Sequence, residues 1–252
     1  MKIIATIEGR LSSSRLPRKL ILPLGNLTVI EFLIKMLKKI KLIDEIILAT
    51  TTNSIDDKLV IIAKKNKINY YRGSENNVLR RVYEAAKKSK ADAIVQASGD
   101  SPLTDYKMLK EWIKLFKKFR PDIITEYWGE LPAGISAPVI NFRALKKSFE
   151  FAKKKSDLEH VTKYIFSNPL KFKTIFYEAK KTETFPQLNL CIDEKQDYDL
   201  VRSIIKNNPN KELNCTELIN YVKKKNYLLN INKKVLRKSK KYHDFYLKKN
   251  SK

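Results

Sequence analysis

The sequence predicts an α/β fold in which a mostly parallel sheet is flanked by helices. Short β-branched runs alternate along the chain with longer amphipathic stretches, and this rhythm is typical of βαβ units. Strands of a sheet that is covered on both faces read as nearly continuous apolar runs, as residues 3–7 do. With 252 residues, 43% of them hydrophobic and 31% charged, the chain can form one large domain with a sizeable core.

The first half of the chain contains a regular series of predicted elements. Strands are predicted over residues 3–7, 45–50, 68–71, 93–97 and 122–125. Helices are predicted between them, over residues 28–40, 55–65, 78–88 and 106–118. The first helix has one apolar face, formed by Val29, Ile30, Leu33, Ile34 and Leu37.

The second half is less regular. Its periodicity predicts helices over residues 142–153, 158–167, 196–206 and 216–224, and strands over residues 172–177 and 188–192. From about Leu228 the sequence becomes strongly basic. We therefore expect residues 228–252 to form a basic C-terminal extension.

The net charge is +25, from 52 Lys and Arg residues against 27 Asp and Glu residues. Residues 223–252 hold twelve of the basic residues and a single acid, Asp244, so this stretch alone carries +11. A strongly basic chain favours anionic partners such as nucleic acid, membrane surfaces or phosphorylated small molecules. A solvated, lysine-rich surface has the same composition, so the charge alone does not choose among them.

Cysteine use and hydropathy bear on the compartment. Cys191 and Cys215 lie far apart without the spacing of a zinc site, which fits a reducing environment. No apolar run approaches the ~18 residues of a membrane helix. The opening run at residues 3–7 is too short for a signal-peptide core. We expect a cytoplasmic protein without a membrane partner.

A long polar loop, from Glu8 to Leu27, follows the first predicted strand. Loops of this length in compact domains are commonly functional. Residues 9–19 read G-R-L-S-S-S-R-L-P-R-K, and they lie beyond the carboxyl end of a strand, where α/β sheets bind ligands. Hydroxyl and backbone N–H donors with Arg10, Arg15 and Lys19 suit a triphosphate. The segment has no P-loop or GxGxxG spacing, so an exposed basic loop is the alternative.

Two acids follow later predicted strands, and a histidine lies in a later predicted helix. Asp100 comes directly after the strand at residues 93–97, and Asp193 follows the strand predicted at residues 188–192. Carboxylates at the edge of a sheet suit Mg²⁺ that also binds phosphate oxygens, although both residues could instead serve a turn or a helix cap. His160 stands next to Glu159 and is equally consistent with a packed or surface residue.

These segments occur in an order that resembles the cytidylyltransferases that activate acidic sugars, most of all the spore-coat polysaccharide biosynthesis SpsF-like branch. More distant relatives are the acylneuraminate and 3-deoxy-manno-octulosonate cytidylyltransferases. Besides residues 9–19, the matching segments are L-G at 24–25, L-I-D-E-I-I-L-A-T at 42–50, R-G-S-E-N-N-V-L-R-R at 72–81, G-D-S-P-L at 99–103, E-H-V-T at 159–162, I-D at 192–193 and D-Y-D-L-V at 197–201.

The resemblance covers about residues 2–206. It implies a Rossmann-like sheet of the nucleotidyltransferase type within residues 1–227. It also implies a small β-containing insertion at roughly 126–190, which contacts the acceptor and often mediates a homodimer. The implied reaction transfers CMP from CTP to an acidic, nonulosonate-like keto-acid sugar and releases pyrophosphate, for surface polysaccharide biosynthesis, with Mg²⁺ as cofactor.

The resemblance also implies a role for each matching residue. The catalytic residues would be Arg10, Lys19 and Asp100. The nucleotide would be bound by Gly9, Arg10, Ser12, Ser13, Ser14, Arg15, Lys19, Ser74 and Arg81. The acceptor would meet Glu159 and His160, and Mg²⁺ would be held by Asp100 and Asp193.

The sequence departs from the family pattern at several points. Arg18 stands where the family usually has glycine, which predicts a less tightly turned loop. Asn76 and Asn77 replace residues that are often acidic in the branch. Residues 132–138 resemble a P-x-G-x-D-x-E segment expected to meet the acceptor, but Ser136 and Pro138 replace its acids. These changes leave the identity of the acceptor open.

Two other functions remain alternatives. A nucleotide-sugar-dependent glycosyltransferase would typically need a D-x-D motif at a strand end, and Asp197-Tyr198-Asp199 instead lies in a predicted helix. A basic nucleic-acid-binding protein would account for the charge and for the aromatic residues of the tail, Tyr227, Tyr242, Phe245 and Tyr246. It would not account for the ordered motifs, so nucleic acid is expected only as a nonspecific partner of the tail.

Overall fold

The computed structural model describes residues 1–127, 129–209 and 211–235. Its strands are β1 (Ile3–Glu8), β2 (Pro23–Leu24), β3 (Leu27–Thr28), β4 (Glu45–Thr51), β5 (Asn69–Gly73), β6 (Ala93–Ser98), β7 (Ile123–Glu126), β8 (Val139–Asn141) and β9 (Thr174–Tyr177). Its helices are α1 (Val29–Lys38), α2 (Asp57–Lys65), α3 (Val78–Lys88), α4 (Tyr106–Phe119), α5 (Phe142–Phe151), α6 (Lys155–Glu159), α7 (Lys163–Ser167), α8 (Lys195–Lys206), α9 (Cys215–Lys224) and α10 (Tyr227–Ile231).

Seven strands form one sheet in the order β5-β4-β1-β6-β8-β7-β9, and β2 pairs with β3 in a separate hairpin. Strands β5, β4, β1 and β6 are mutually parallel, β7 is parallel to β9, and β8 runs antiparallel to both β6 and β7. The sheet strands other than β8 therefore end at the same edge. The predicted α/β fold with a mostly parallel sheet is confirmed.

Helices cover both faces of the sheet, which explains why β1 is buried along nearly its whole length. Ile3 and Ile7 pack on one face in the core that includes side chains of α1, α4 and α8. Ile4 packs on the other face, in the core that includes side chains of α3 and α5. Because both faces are covered, polar groups on the strands can meet a ligand only at the strand ends.

Capping side chains fix the start of the helices near this edge. Thr28 and Glu31 form a capping box at the start of α1, in which each side chain accepts a hydrogen bond from the other residue's backbone N–H. Asp105 caps α4 by accepting hydrogen bonds from the N–H groups of Lys107 and Met108 at 2.8 and 3.1 Å. Such caps typically stabilise a helix by about 1 kcal/mol.

The strand predicted over residues 188–192 is wrong. This segment forms only an isolated bridge, between Ala133 and Asn189. The Asn189 side chain accepts a hydrogen bond from the N–H of Cys191 at 3.3 Å, which competes with a regular strand ladder. The apolar pattern that suggested a strand comes from Leu188, Leu190 and Ile192, which are buried in the core.

The helix predicted over residues 158–167 is two short helices, α6 and α7. His160 has extended backbone angles and ends α6, while Val161 is buried. The break presents residues 159–162 along the carboxyl edge of the sheet. Strand β8, with three residues, was not predicted, because so short a run carries no detectable alternation.

The predicted boundary at Leu228 falls within α10. Leu228 is fully buried, and α10 packs against α8. The division into a domain at 1–227 and an extension at 228–252 stays a prediction, and residues 236–252 lie outside the described residues. Among the described residues, no helix is both long and apolar enough to cross a membrane.

Candidate active site

The loop after β1 is held at defined points. Leu11 N donates a hydrogen bond to the buried carboxylate of Asp56 at 2.7 Å, and Arg18 N donates to the Leu11 carbonyl at 3.1 Å. A 3-10 turn then runs from Lys19 to Ile21. The long loop that the sequence predicts is therefore a shaped structure at the carboxyl edge of the sheet.

Arg18 takes the left-handed backbone conformation, with φ of 55° and ψ of 23°. Glycine enters this region freely, whereas a residue with a Cβ is strained there by about 1 kcal/mol. The expectation of a looser turn at this position is wrong. The chain keeps the tight turn that glycine would favour and accepts the strain.

Lys19 lies between the two predicted metal-binding acids. Its Nζ is 2.5 Å from Asp100 Oδ2 and 3.1 Å from Asp193 Oδ1. Burial opposes the charge of Lys19, but the two carboxylates outweigh it and raise the pKa of the amine. Arg15 adds a second cation, at 2.8 Å from Asp193. These four residues form a compact charged cluster.

Backbone geometry brings the two acids to the same place. Gly99 approaches β1 so closely that a Cβ at this position would lie 2.7 Å from the Glu8 carbonyl oxygen, so only glycine fits without a shift. This close approach of Gly99 to β1 fixes the position of the backbone just before Asp100. Ile192 N donates to the Asp100 carbonyl at 2.9 Å, which ties in the segment that carries Asp193. Ser98 also donates to Asp100 Oδ1 at 2.5 Å.

Glu75 contacts the start of the loop, and nothing in the sequence besides the family pattern singles it out. Its carboxylate accepts a hydrogen bond from Ser12 at 2.6 Å and pairs with Arg10 at 3.2 Å. The Ser12 hydroxyl and the Arg10 cation lower the pKa of Glu75, although partial burial opposes them. Glu75 thus occupies two of the groups predicted to bind phosphate.

Arg81 is almost fully buried beneath the turn that precedes α3. Its guanidinium donates to the carbonyl oxygen of Ala49 at 3.1 Å and to that of Ser74. The Ser74 hydroxyl accepts a hydrogen bond from Asn77 N at 3.1 Å, and Asn77 caps α3 at Arg80 N. Asn77, at a position that is often acidic in the family, is therefore also a good helix cap. The Ser74 hydroxyl forms its hydrogen bond within the turn.

One cleft of about 590 Å³ brings most of the predicted residues together. Its walls include Gly9, Arg10, Ser13, Ser14, Arg15, Lys19, Arg81, Asp100, Glu159 and His160. Ser12 and Asp193 are joined to these residues through Glu75 and Lys19. Ser74 does not contribute to the cleft wall, since it lies in the turn above Arg81.

Glu8 and Gln96 also line the cleft, and sequence reasoning missed both. Glu8 Oε2 accepts a hydrogen bond from Gln96 Nε2 at 2.6 Å, and Oε1 accepts from Thr6 at 3.1 Å. Burial raises the pKa of Glu8 to about 8, although Gln96, Thr6 and the Arg81 cation oppose the shift. An acid at the end of a buried strand is a signal that could have identified Glu8.

Glu159 and His160 form another part of the cleft wall, at the break between α6 and α7. Lys155 and Thr162 lie beside them in the same wall. Desolvation by the surrounding protein lowers the pKa of His160, although the nearby Glu159 opposes the shift. This wall offers neutral and charged donors to a second ligand in the cleft.

Ser136 contacts an acid at the end of β7. Its hydroxyl donates to Glu126 Oε2 at 2.7 Å. Burial raises the pKa of Glu126 to about 7, although Ser136 opposes the shift. A carboxyl group therefore stands next to the segment where the family pattern has its own acids, although neither residue lines the cleft of about 590 Å³.

The D-x-D segment has a structural position. Asp197 is fully buried in the first turn of α8 and accepts hydrogen bonds from Asp193 N, Glu194 N and Asn232 Nδ2. Asp199 pairs with Lys195 on the exposed side of the helix at 2.6 Å. This agrees with the prediction that both acids belong to the start of a helix.

The donor set at Lys19 fits a magnesium ion. Mg²⁺ in phosphate-handling sites takes one or two carboxylates and completes its shell with phosphate oxygens and water. Asp100 and Asp193 converge on one cation, the Lys19 ammonium, so their oxygens can converge on another. In the part of the chain that the structure describes, no group of three or more His, Cys, Asp or Glu side chains offers a closed site.

Comparisons with known proteins agree with this geometry. The chain is 35% identical over 239 residues to an uncharacterized protein of Methanocaldococcus jannaschii, covering 95% of this chain and 98% of that protein. It is 28% identical to the spore coat polysaccharide biosynthesis protein SpsF of Bacillus subtilis, covering 86% and 92%. A solved cytidylyltransferase of Leptospira borgpetersenii superposes with a TM-score of 0.87 at 31% identity, covering 94% of this chain and all of that one.

A family profile gives the assignment. The profile described as Cytidylyltransferase matches residues 4–241, which is nearly the whole chain. A 3-deoxy-manno-octulosonate cytidylyltransferase of Flavobacterium johnsoniae is 32% identical over 120 residues, about 46% of this chain and 47% of that protein. The chain belongs to the cytidylyltransferase family and is a nucleotidyltransferase.

Proposed function

We propose that this cytidylyltransferase transfers CMP from CTP to an acidic keto-acid sugar and releases pyrophosphate. The observation that carries the proposal is the convergence of Lys19, Asp100 and Asp193, from three distant segments, at the carboxyl edge of the sheet. Phosphoryl transfer asks for cations to hold phosphates and carboxylates to hold a metal ion, and little covalent chemistry from the protein.

The reaction we propose is an in-line attack by an acceptor hydroxyl on the α-phosphate of CTP. The O–P bond to the acceptor forms while the bond between the α- and β-phosphates breaks, and the hydroxyl proton is lost to solvent. Arg10, Arg15 and Lys19 would bind the β- and γ-phosphates and neutralise the charge that develops on the departing pyrophosphate. The hydroxyls of residues 12–14 would donate to phosphate oxygens.

Asp100 and Asp193 would hold Mg²⁺. When bound there, the ion would supply positive charge next to the phosphates and lower the barrier to nucleophilic attack. For this to happen, Lys19 must release the two carboxylates and bind phosphate oxygens instead. We therefore expect bound nucleotide to favour the binding of Mg²⁺, and bound Mg²⁺ to favour the binding of nucleotide.

The acceptor would lie against the wall formed by Lys155, Glu159, His160 and Thr162. Lys155 can pair with a sugar carboxylate, while the other side chains can donate to or accept from hydroxyls. A keto-acid sugar would present both kinds of group. The names of SpsF and of the 3-deoxy-manno-octulosonate enzyme are consistent with such a substrate and with surface polysaccharide biosynthesis.

A homodimer is also part of the proposal. Tyr127, Leu170 and Phe176 are exposed apolar residues near the β9 edge of the sheet, within the predicted insertion. Exposed apolar clusters commonly mark protein interfaces. Light scattering on the purified protein tests this: a dimer mass is expected, and a monomer mass at working concentrations would refute it.

Pyrophosphate release tests the reaction. The protein is incubated with Mg²⁺, each of the four nucleoside triphosphates in turn, and a panel of acidic and neutral sugars. We expect release that requires both CTP and one acidic sugar. Release with a neutral or phosphorylated sugar would mean that the acceptor belongs to another class. In a parallel incubation with nucleotide sugars, release of a nucleoside diphosphate would favour a glycosyltransferase.

A further inference from the structure

Glu8 lies on the floor of the cleft and has no part in the phosphate chemistry proposed above. As the last residue of β1, it pairs in register with Ala49 on one side and Ser98 on the other. Gln96 and Thr6 each donate a hydrogen bond to one of its carboxyl oxygens, at 2.6 and 3.1 Å. These bonds fix the position of the carboxyl group, so it is placed to meet a ligand.

The chemistry of Glu8 limits what it can contact. In its ionised form Glu8 would repel phosphate oxygens, so it must then face an uncharged part of the nucleotide or the acceptor. The Arg81 cation favours this ionised form and the Asp100 carboxylate opposes it. Because burial also disfavours the ionised form, a hydrogen-bond donor on the ligand would stabilise it.

The position of Glu8 points to the nucleoside. Gly9 alone separates Glu8 from Arg10, which begins the loop that would hold the phosphates. A nucleotide with its phosphates on Arg10 and Lys19 therefore has its nucleoside within reach of Glu8. Glu75, Asn76 and Arg81 line the cleft together with Glu8.

We propose that Glu8 reads the nucleobase: its carboxyl group accepts a hydrogen bond from the exocyclic amino group of cytosine and thereby selects CTP over UTP. The inference rests on the proposed function, since it requires a nucleotide in this cleft. Cytosine carries an amino donor where uracil carries a carbonyl acceptor, and a Glu or Asp that accepts from this amino group is a recurring pairing. The ionised carboxylate, which predominates above about pH 8, would be repelled by the uracil carbonyl.

Direct binding in the absence of any acceptor tests the inference. Dissociation constants for CTP and UTP with Mg²⁺ are measured calorimetrically at pH 9, where Glu8 is ionised, for the wild type, Glu8→Gln and Glu126→Gln. We expect the wild type to prefer CTP and Glu8→Gln to lose about tenfold of that preference, because an amide presents a donor as well as an acceptor and suits either base. Glu126→Gln removes a similar half-buried carboxyl outside the cleft wall and should keep the full preference.

A second variant guards against a folding defect. Glu8→Asp keeps the carboxylate but retracts it, so it should bind CTP more weakly and still prefer it to UTP, while melting curves verify that each variant is folded. If Glu8→Gln binds both nucleotides with the wild-type preference, the inference is wrong and the proposed function stands. If the wild type binds no nucleotide, both proposals fail.

Discussion

The Nζ atom of Lys19 lies 2.5 Å from Oδ2 of Asp100, although 81 residues separate them in the sequence. Lys19 follows the loop after β1, and Asp100 follows β6, so the parallel pairing of these two strands brings them together. Asp193 completes the cluster at 3.1 Å. Lys19, which would bind phosphate, thus pairs with the two carboxylates that would bind a metal ion. The proposed chemistry follows from this pairing.

Asp100→Asn should abolish pyrophosphate release while the protein stays folded. The amide keeps the shape of the side chain but removes the negative charge that would hold Mg²⁺, so a loss of at least about a hundredfold is expected. The assay is pyrophosphate release with CTP and the acceptor identified in the panel. Melting curves with and without CTP verify the fold.

The same change at Asp199 is the matched control. Asp199 also belongs to an acidic segment, but its carboxylate pairs with Lys195 on the exposed side of α8. Asp199→Asn should leave turnover within about twofold of the wild type. Near-normal turnover of Asp100→Asn would remove Asp100 from the metal role, and strong loss in Asp199→Asn would point back to a D-x-D enzyme.

Lys19→Met should lower turnover by about a hundredfold or more, because the cation that would bind the phosphates is lost. It should also change the response to metal in the absence of nucleotide. With no ammonium between Asp100 and Asp193, Mg²⁺ alone should raise the melting temperature more than it does for the wild type. Equal shifts in the two proteins would mean that Lys19 does not compete with a metal for these carboxylates. Lys19→Arg, which keeps the charge, should respond like the wild type.

Arg18→Gly should stabilise the protein slightly. Glycine removes about 1 kcal/mol of strain at φ of 55°, and the greater freedom of the unfolded chain offsets part of this. The expected increase in the free energy of unfolding is about 0.5 kcal/mol by urea titration. Lys110→Gly, on the exposed face of α4, should instead lose roughly 0.5–1 kcal/mol. A comparable loss in Arg18→Gly would show that the strain argument is wrong.

The pH dependence of stability should carry the signature of Glu126. Burial raises the pKa of Glu126 from an ordinary value of 4.5 to about 7. Between these values the folded state keeps a proton that the unfolded state has lost, so the free energy of unfolding falls as the pH rises through this window. Urea titrations at pH 5 and pH 7.5 should show a smaller fall for Glu126→Gln. Glu111→Gln, which changes an exposed acid on α4, is the control and should show the same fall as the wild type. If Glu126→Gln also showed the same fall as the wild type, the pH dependence could not be assigned to Glu126.

Much of the fold could be predicted because periodicity is a local property. The runs at β1, β4 and β6 are apolar enough to show as strands, and the helices between them have clear apolar faces. The segment at residues 188–192 misled because Leu188, Leu190 and Ile192 alternate like a strand while Asn189 bonds to the local backbone. The alternation of apolar and polar residues indicates that one side of a segment is buried. It does not indicate which backbone groups are hydrogen-bonded.

The candidate site could be predicted where motif and strand end coincide, as at Lys19 and Asp100. Glu8 was missed because it looked only like the residue that ends an apolar run. Its position between Gln96 and Arg81 depends on the pairing of β1 with β6 and on the packing of α3, which no local pattern encodes. Glu75 likewise gains its partners only through the fold.

Phosphorus-31 spectra of the complete reaction would show whether CMP passes from CTP to the sugar. The protein is mixed with Mg²⁺, CTP and the acceptor selected in the panel, and the products are followed with time. We expect a CMP diester of the sugar and inorganic pyrophosphate to appear in equal amounts as CTP disappears, with none formed by Asp100→Asn. Inorganic phosphate with CDP, or loss of CTP without a diester, would contradict it.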